Sequence, residues 1–214
     1  MHRLRHSCAR PLTLCLLVAS LAITVSTPVF ARSKSKGLLE SAIESVEERH
    51  SYQVPAAGSI EVAFSPNEGS EHLVLKTIQS AQREIRMLSY SFTSAPVTQA
   101  LLAARHRGVR VTLVADEKNN VSEDHSGKAR AALSALVNAG CDVRTIRVYP
   151  IHHDKVLIVD GDTVELGSFN YSDAAAHKNS ENVLVNWHNP QLAKVYLDHF
   201  ARNYSQARPY DARY

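Results

Sequence analysis

The chain has 214 residues, 44% of them apolar and 21% charged, with only 8 glycines and 8 prolines. That composition excludes collagen-like and low-complexity disordered chains. It fits one compact globular domain, which at this size buries roughly two-thirds of its unfolded surface without metal or disulfide staples. The formal charge of +3 does not mark a polyanion binder. Arg3, Arg5 and Arg10 lie within residues 1–31, and without them 21 basic side chains face 21 acidic ones. Any polyanion site must therefore come from local clustering.

In chain order, the three arginines precede an apolar run from Leu12 to Val25, and Val29-Phe30-Ala31 has the small-residue pattern of a signal-peptidase site. Pro28 breaks the helix just before it. The run is shorter than the roughly 20 residues of a spanning helix. Residues 1–31 therefore read as an export signal cleaved after Ala31, with an uncleaved membrane anchor as the alternative. The expected location is periplasmic or secreted, without stable membrane insertion after cleavage. Cys8 and Cys15 leave with the signal, and Cys141 then has no intramolecular disulfide partner, so it reads as a small buried apolar residue.

Residues 32–58 form the next segment. Arg32 to Lys36 is polar, basic and expected to be disordered. Leu38, Leu39, Ala42, Ile43 and Val46 then recur at helical spacing opposite an acidic face, which predicts a short amphipathic helix.

From residue 59 to 214 strand-like and helix-like patterns alternate. Strands are expected at Ile60–Phe64, Ile85–Phe92, Val109–Ala115, Val143–Val148, Val156–Val159, Thr163–Leu166 and Asn182–Trp187. Helices are expected at Glu71–Arg83, Val97–Arg107, Lys128–Ala139 and Gln191–Asn203, the last opened by Asn189-Pro190. Gly161-Asp162 reads as a hairpin turn. The fold class is α/β, a mixed central sheet flanked by helices, with one domain per chain.

The chemistry concentrates between Ile151 and Glu181. Strand side chains alternate faces, so His153 and Lys155 share one face and Asp160 points away, into packing or a structural hydrogen bond. Ser168 and Asn170 share a face if their segment is extended. His153, Lys155, Ser168 and Asn170 can thus converge on one anion. The lysine, amide and hydroxyl offer donors to nonbridging phosphate oxygens, and an imidazole can attack phosphorus or carry a proton near neutral pH. No carboxylate cluster suited to Mg²⁺ accompanies them, and His152-His153-Asp154 cannot chelate easily because neighbours point to opposite faces. The expectation is a site with no metal and no cofactor. Lys118, Lys128 and Lys178 read as solvated surface charge that could steer DNA. Ser91 and Thr93 read as site-lining residues or as an ordinary strand end.

His153, Lys155, Asp160, Gly167, Ser168 and Asn170 together spell H-x-K-x4-D-x6-G-S-x-N, and among 11 histidines only His153 is followed two residues later by lysine. The pattern resembles the phospholipase D superfamily. Phe64-Ser65-Pro66, Met87 to Thr93, Asn179-Ser180-Glu181-Asn182 and the C-terminal helix following Trp187 resemble its small, exported bacterial endonuclease branch. The resemblance implies that His153 is the nucleophile of a phosphohistidine intermediate, that Lys155 and Asn170 hold the phosphate, that Ser168 supports the site and that Glu181 orients the His153 ring. Asp160 and Gly167 serve the scaffold. The family mechanism needs two histidines and this chain carries one motif, which implies a homodimer with a shared site. The expected activity is metal-independent DNA cleavage with little sequence preference, with RNA as a further nucleic-acid substrate. Phospholipase D action on phosphatidylcholine-type lipids and a noncatalytic nucleic-acid-binding module are the alternatives.

Overall fold

A computed structural model describes residues 51–212. The expected export signal, the Arg32–Lys36 stretch and the amphipathic helix at 38–46 lie outside the described residues. The elements, in order, are β1 (Ser59–Ser65), α1 (Ser70–Ser80), β2 (Glu84–Ser89), α2 (Ala95–His106), β3 (Arg110–Asp116), a π-helical turn (Lys118–Ser122), α3 (Lys128–Asn138), β4 (Asp142–Ile146), β5 (Lys155–Val159), β6 (Thr163–Gly167), α4 (Asp173–His177), β7 (Glu181–Trp187), α5 (Pro190–Gln206) and β8 (Arg208–Pro209).

The strands form one mixed sheet in the order β1-β7-β6-β5-β2-β3-β4-β8. Strands β2, β3 and β4 run parallel, joined by α2 and α3. The neighbouring pairs β2–β5, β5–β6, β6–β7 and β7–β1 are antiparallel. Each β5 residue is buried, as expected for a central strand covered on both faces. One face packs Leu157 and Leu113 beneath Val74 and Ile78 of α1, Leu101 of α2 and Leu133 of α3. The other packs Val156, Ile158 and Val114 beneath Ala193 and Phe200 of α5. Cys141 belongs to the first core, and burial pushes its thiol up to about 11, so it is an uncharged packing residue at neutral pH.

Side-chain caps account for three helix starts, including Ser172, which accepts from the Ala175 N–H at 3.2 Å at the start of α4. Ser94 accepts from the Val97 N–H at 3.2 Å, and Asn189 accepts from the Leu192 N–H at 3.0 Å with Pro190 at the first helical position. Elsewhere tertiary contacts shift the boundaries. The helix expected to reach Arg83 stops at Ser80, because the N–H groups of Gln82, Arg83 and Glu84 donate to the Asp160 carboxylate at 2.8, 2.8 and 2.9 Å. The hairpin turn centres on Asp160 and Gly161, at φ 53° and 76°, one residue earlier than the sequence suggests. The strand expected to reach Val148 ends at Ile146.

This topology sets up one edge of the sheet. Ser89 at the end of β2 pairs with Lys155 at the start of β5, and Asp116 at the end of β3 pairs with Ile146 at the end of β4. The segment carrying His153 therefore enters the sheet where the parallel strands end, which is where open α/β sheets place their sites.

Candidate active site

The residues before β5 continue its alternation. His152 and Asp154 turn to the α5 side, with Val156, while His153 and Lys155 turn to the opposite side. The His153 ring is exposed and lies 4.6 Å from the Tyr90 ring. Lys155 is only 5% exposed, its Nζ donating to the His153 carbonyl at 2.8 Å and sitting 5.2 Å from the Tyr90 ring centroid. Burial lowers the lysine pKa, against the opposing pull of the Asp154 and Glu181 carboxylates.

Gly167 ends β6 against β7. A Cβ there would sit 2.2 Å from the Asn182 carbonyl oxygen, so only glycine permits the approach that lets the Ser168 N–H donate to that oxygen at 3.2 Å. Phe169 and Tyr171 turn fully into the core, which leaves Ser168 and Asn170 on the other side of the segment. The Ser168 hydroxyl donates to Glu181 Oε2 at 2.6 Å and accepts from the Asn182 N–H at 3.1 Å. Glu181 Oε1 accepts from Asn179 Nδ2 at 3.0 Å. Among the described residues no hydrogen bond joins Glu181 to the His153 imidazole; its carboxylate is held by Ser168 and Asn179 instead. Asn170 Oδ1 is buried without a hydrogen-bond partner among the described residues.

Several supporting groups escaped the sequence reading. The His152 N–H donates to Asp116 Oδ2 at 2.8 Å, tying the segment that carries His153 to the end of β3. Asp154 Oδ2 lies 2.9 Å from His199 Nε2 on α5 and 3.3 Å from His152 Nδ1. Burial alone would raise the Asp154 pKa, but the hydrogen bond and charge of His199, with His152 and Arg202, hold it below the ordinary carboxylate value. Asn120 in the π-helical turn donates to the Tyr90 and Asp116 carbonyls and accepts from the Phe92 N–H at 2.8 Å, fixing the loop that carries Tyr90. Apart from the His152–Asp154 pair, these hydrogen bonds join residues at least 4 and as many as 45 positions apart, and none of those has a local sequence signal. Thr93 lines a cavity of about 680 Å³ with Glu71, Lys128 and His177. Lys118 and Lys178 are engaged by Glu123 and Asp173 at 3.4 and 3.8 Å.

The profile of the family described as "Cardiolipin synthase, PLD-like domain" matches residues 74–204, more than half of the chain. The chain belongs to the phospholipase D superfamily. Among curated relatives, the phospholipase D of Rickettsia conorii is 33% identical over 141 residues, covering 66% of this chain and 67% of that protein. The mitochondrial cardiolipin hydrolase of Xenopus laevis is 29% identical over 136 residues, covering 64% and 61%. Among solved structures, the phospholipase D family member Nuc from Salmonella typhimurium is 44% identical, covers 71% of this chain and 97% of its own, and superimposes with a TM-score of 0.67. The mixed sheet with its flanking helices is thus the phospholipase D superfamily fold, and this superfamily member is a hydrolase of phosphodiester bonds.

Proposed function

We propose that this phosphodiesterase is a DNA endonuclease with little sequence preference, acting as an exported homodimer through a phosphohistidine intermediate. His153 attacks phosphorus and displaces the leaving oxygen, which takes its proton from His153 of the partner subunit. Water then attacks the phosphohistidine, returning the proton and freeing the phosphate ester and the imidazole. Lys155 and Asn170 bind the nonbridging oxygens, their charge and amide donor countering the negative charge that builds in the transition state. Ser168 and Glu181 brace each other beside them, and the sequence of steps uses no metal.

The observation that carries this reading is the gathering of His153, Lys155, Ser168 and Glu181 at one sheet edge. There β5 presents His153 and Lys155 together, and Gly167 lets the Ser168–Glu181 pair seat against β7. DNA as the substrate class is supported by the resemblance of Phe64-Ser65-Pro66, Met87 to Thr93 and Asn179-Ser180-Glu181-Asn182 to the exported bacterial endonuclease branch. One observation favours a lipid substrate: Val148 and Ile151, on either side of the turn leading to His153, are 57% and 54% exposed.

The deciding experiment incubates the purified protein with supercoiled plasmid and, in parallel, with phosphatidylcholine vesicles, using His153→Ala as the control. Plasmid nicking lost in the variant, with no choline released, is the expected result. Choline release without nicking would replace the nuclease reading with the lipid one, and loss of both hydrolyses with retained DNA binding would leave a binding module.

A further inference from the structure

Beyond the catalytic residues, we propose that Arg147 and Arg208 form a phosphate-binding subsite that holds the DNA backbone several nucleotides from the scissile bond. This rests on the DNA reading above. Arg147 directly follows β4, Arg208 opens β8, and both line one cleft of about 350 Å³ with Glu117, Val148 and Gln206. The pairing of Thr145 with Arg208 puts β8 at the same end of the sheet as the ends of β3 and β4. This is the edge at which Lys155 begins β5.

The cleft also connects physically to the site. Tyr149 donates its hydroxyl to Gln206 Oε1 at 2.8 Å on one side, and its ring lies 6.5 Å from that of His152, the residue preceding the nucleophile. From β5 to β4 is three strand steps and to β8 four, which places the strands that Arg147 follows and Arg208 opens ~14–19 Å along the edge from β5. That span corresponds to about four to six nucleotides at the rise of B-form DNA.

Charge pairing distinguishes these two arginines from their neighbours. Arg144 is paired with Asp142, Arg86 and Arg110 with Glu84, and Lys118 with Glu123. Arg147 and Arg208 are exposed and have no side-chain hydrogen bond or ion pair among the described residues. The acid that lines their cleft, Glu117, accepts from the Ser122 hydroxyl at 2.9 Å. Since the acidic and basic residues after position 31 balance, a local surplus of this kind is what would supply affinity for a polyanion. Each guanidinium can grip a phosphate with two parallel N–H donors and release condensed counterions on doing so.

The test separates this subsite from the nuclease reading by measuring binding without cleavage. His153→Ala protein is titrated into a fluorescein-labelled DNA duplex across a KCl series, alone and with Arg147→Gln and Arg208→Gln combined. Arg110→Gln, whose guanidinium is paired with Glu84, serves as the control. The glutamine pair should weaken binding by about tenfold or more and reduce the slope of log affinity against log salt by about 1.8, two contacts at ~0.9 each. Arg110→Gln should change neither, and an Arg147→Lys, Arg208→Lys pair should restore most of the affinity. Unchanged affinity and slope in the glutamine pair would overturn the subsite, as would lysines as weak as glutamines or no DNA binding by the His153→Ala protein. A wild-type protein that binds DNA through these arginines yet leaves plasmid intact would overturn the nuclease reading alone.

Discussion

Glu165 lies outside the motif and is fully buried on β6, accepting from the Tyr171 hydroxyl at 2.9 Å, with Oε1 lacking a partner among the described residues. Burial pushes its pKa from an ordinary 4.5 up to about 8, only partly opposed by the Tyr171 hydrogen bond. A carboxyl whose pKa is raised by folding favours the native state while the unfolded chain is also protonated. The stabilisation is therefore complete below about 4.5 and is lost as pH rises through about 8, with a slope of up to ~1.4 kcal/mol per pH unit from this group. Glu165→Gln keeps an acceptor for Tyr171 but cannot ionise. It should flatten the stability profile and leave the variant more stable than wild type at pH 8. Urea unfolding at pH 5 and at pH 8 measures this, and parallel profiles for the two proteins would show that Glu165 does not titrate in the folded chain. The same residue shows a limit of pattern reading, for nothing in Thr163–Gly167 announces that this strand acid points into the core.

The β5–β6 hairpin is held from outside itself. Asp160 takes a left-handed conformation at the turn, and its carboxylate collects three backbone N–H groups from the segment joining α1 to β2. Burial by itself would raise its pKa, but the Glu84, Gln82 and Arg83 amides outweigh that and hold it below the ordinary 3.8. A depressed carboxylate stabilises the fold above its unfolded pKa, so this contribution is present at neutral pH and fades only as acid takes the pH below 3.8. Asp160→Ala strands all three donors and should cost about 2–4 kcal/mol, whereas Asp160→Asn, which keeps one acceptor, should cost less. Chemical denaturation at pH 7 and pH 3 provides the check: the difference between wild type and Asp160→Ala should shrink in acid. A difference equally large at both values would mean that the anion contributes nothing beyond side-chain size. The aspartate of the motif thus acts at the far end of β5 from His153, clamping the strand whose other end follows the proposed nucleophile.

For the whole molecule, the proposed two-histidine mechanism, on a chain with one motif, requires a shared site. His153→Ala subunits should then poison the wild-type subunits they join. A mixed dimer keeps one imidazole, which has no partner to protonate a departing DNA oxygen, and loss of such acid help costs on the order of 10²–10⁴ in rate. When wild-type and variant chains are unfolded, mixed and refolded together, DNA cleavage should follow the square of the wild-type fraction. Hydrolysis of an aryl phosphodiester, whose leaving group needs little protonation, should fall less steeply. A linear dependence for DNA, with subunit exchange verified, would mean that each chain holds a complete site.

The sequence by itself determined the alternating α/β architecture, because apolar periodicities of two and 3.6 are local properties, and it determined the motif, because His153, Lys155, Asp160, Gly167, Ser168 and Asn170 stand within 18 residues of one another. The cap at Asn189 was legible for the same reason. Tertiary structure alone decided that α1 stops at Ser80, since the donors that end it turn to an acceptor 76–78 residues away. It alone paired Asp154 with His199 and His152 with Asp116, and it gave Glu181 to Ser168 and Asn179. The five-residue helix α4 and the two-residue strand β8 were illegible because elements so short depend on the surfaces they pack against. A side chain's type and spacing limit what it can do, but its hydrogen-bond partner is set by chain segments that meet only when the sheet has formed.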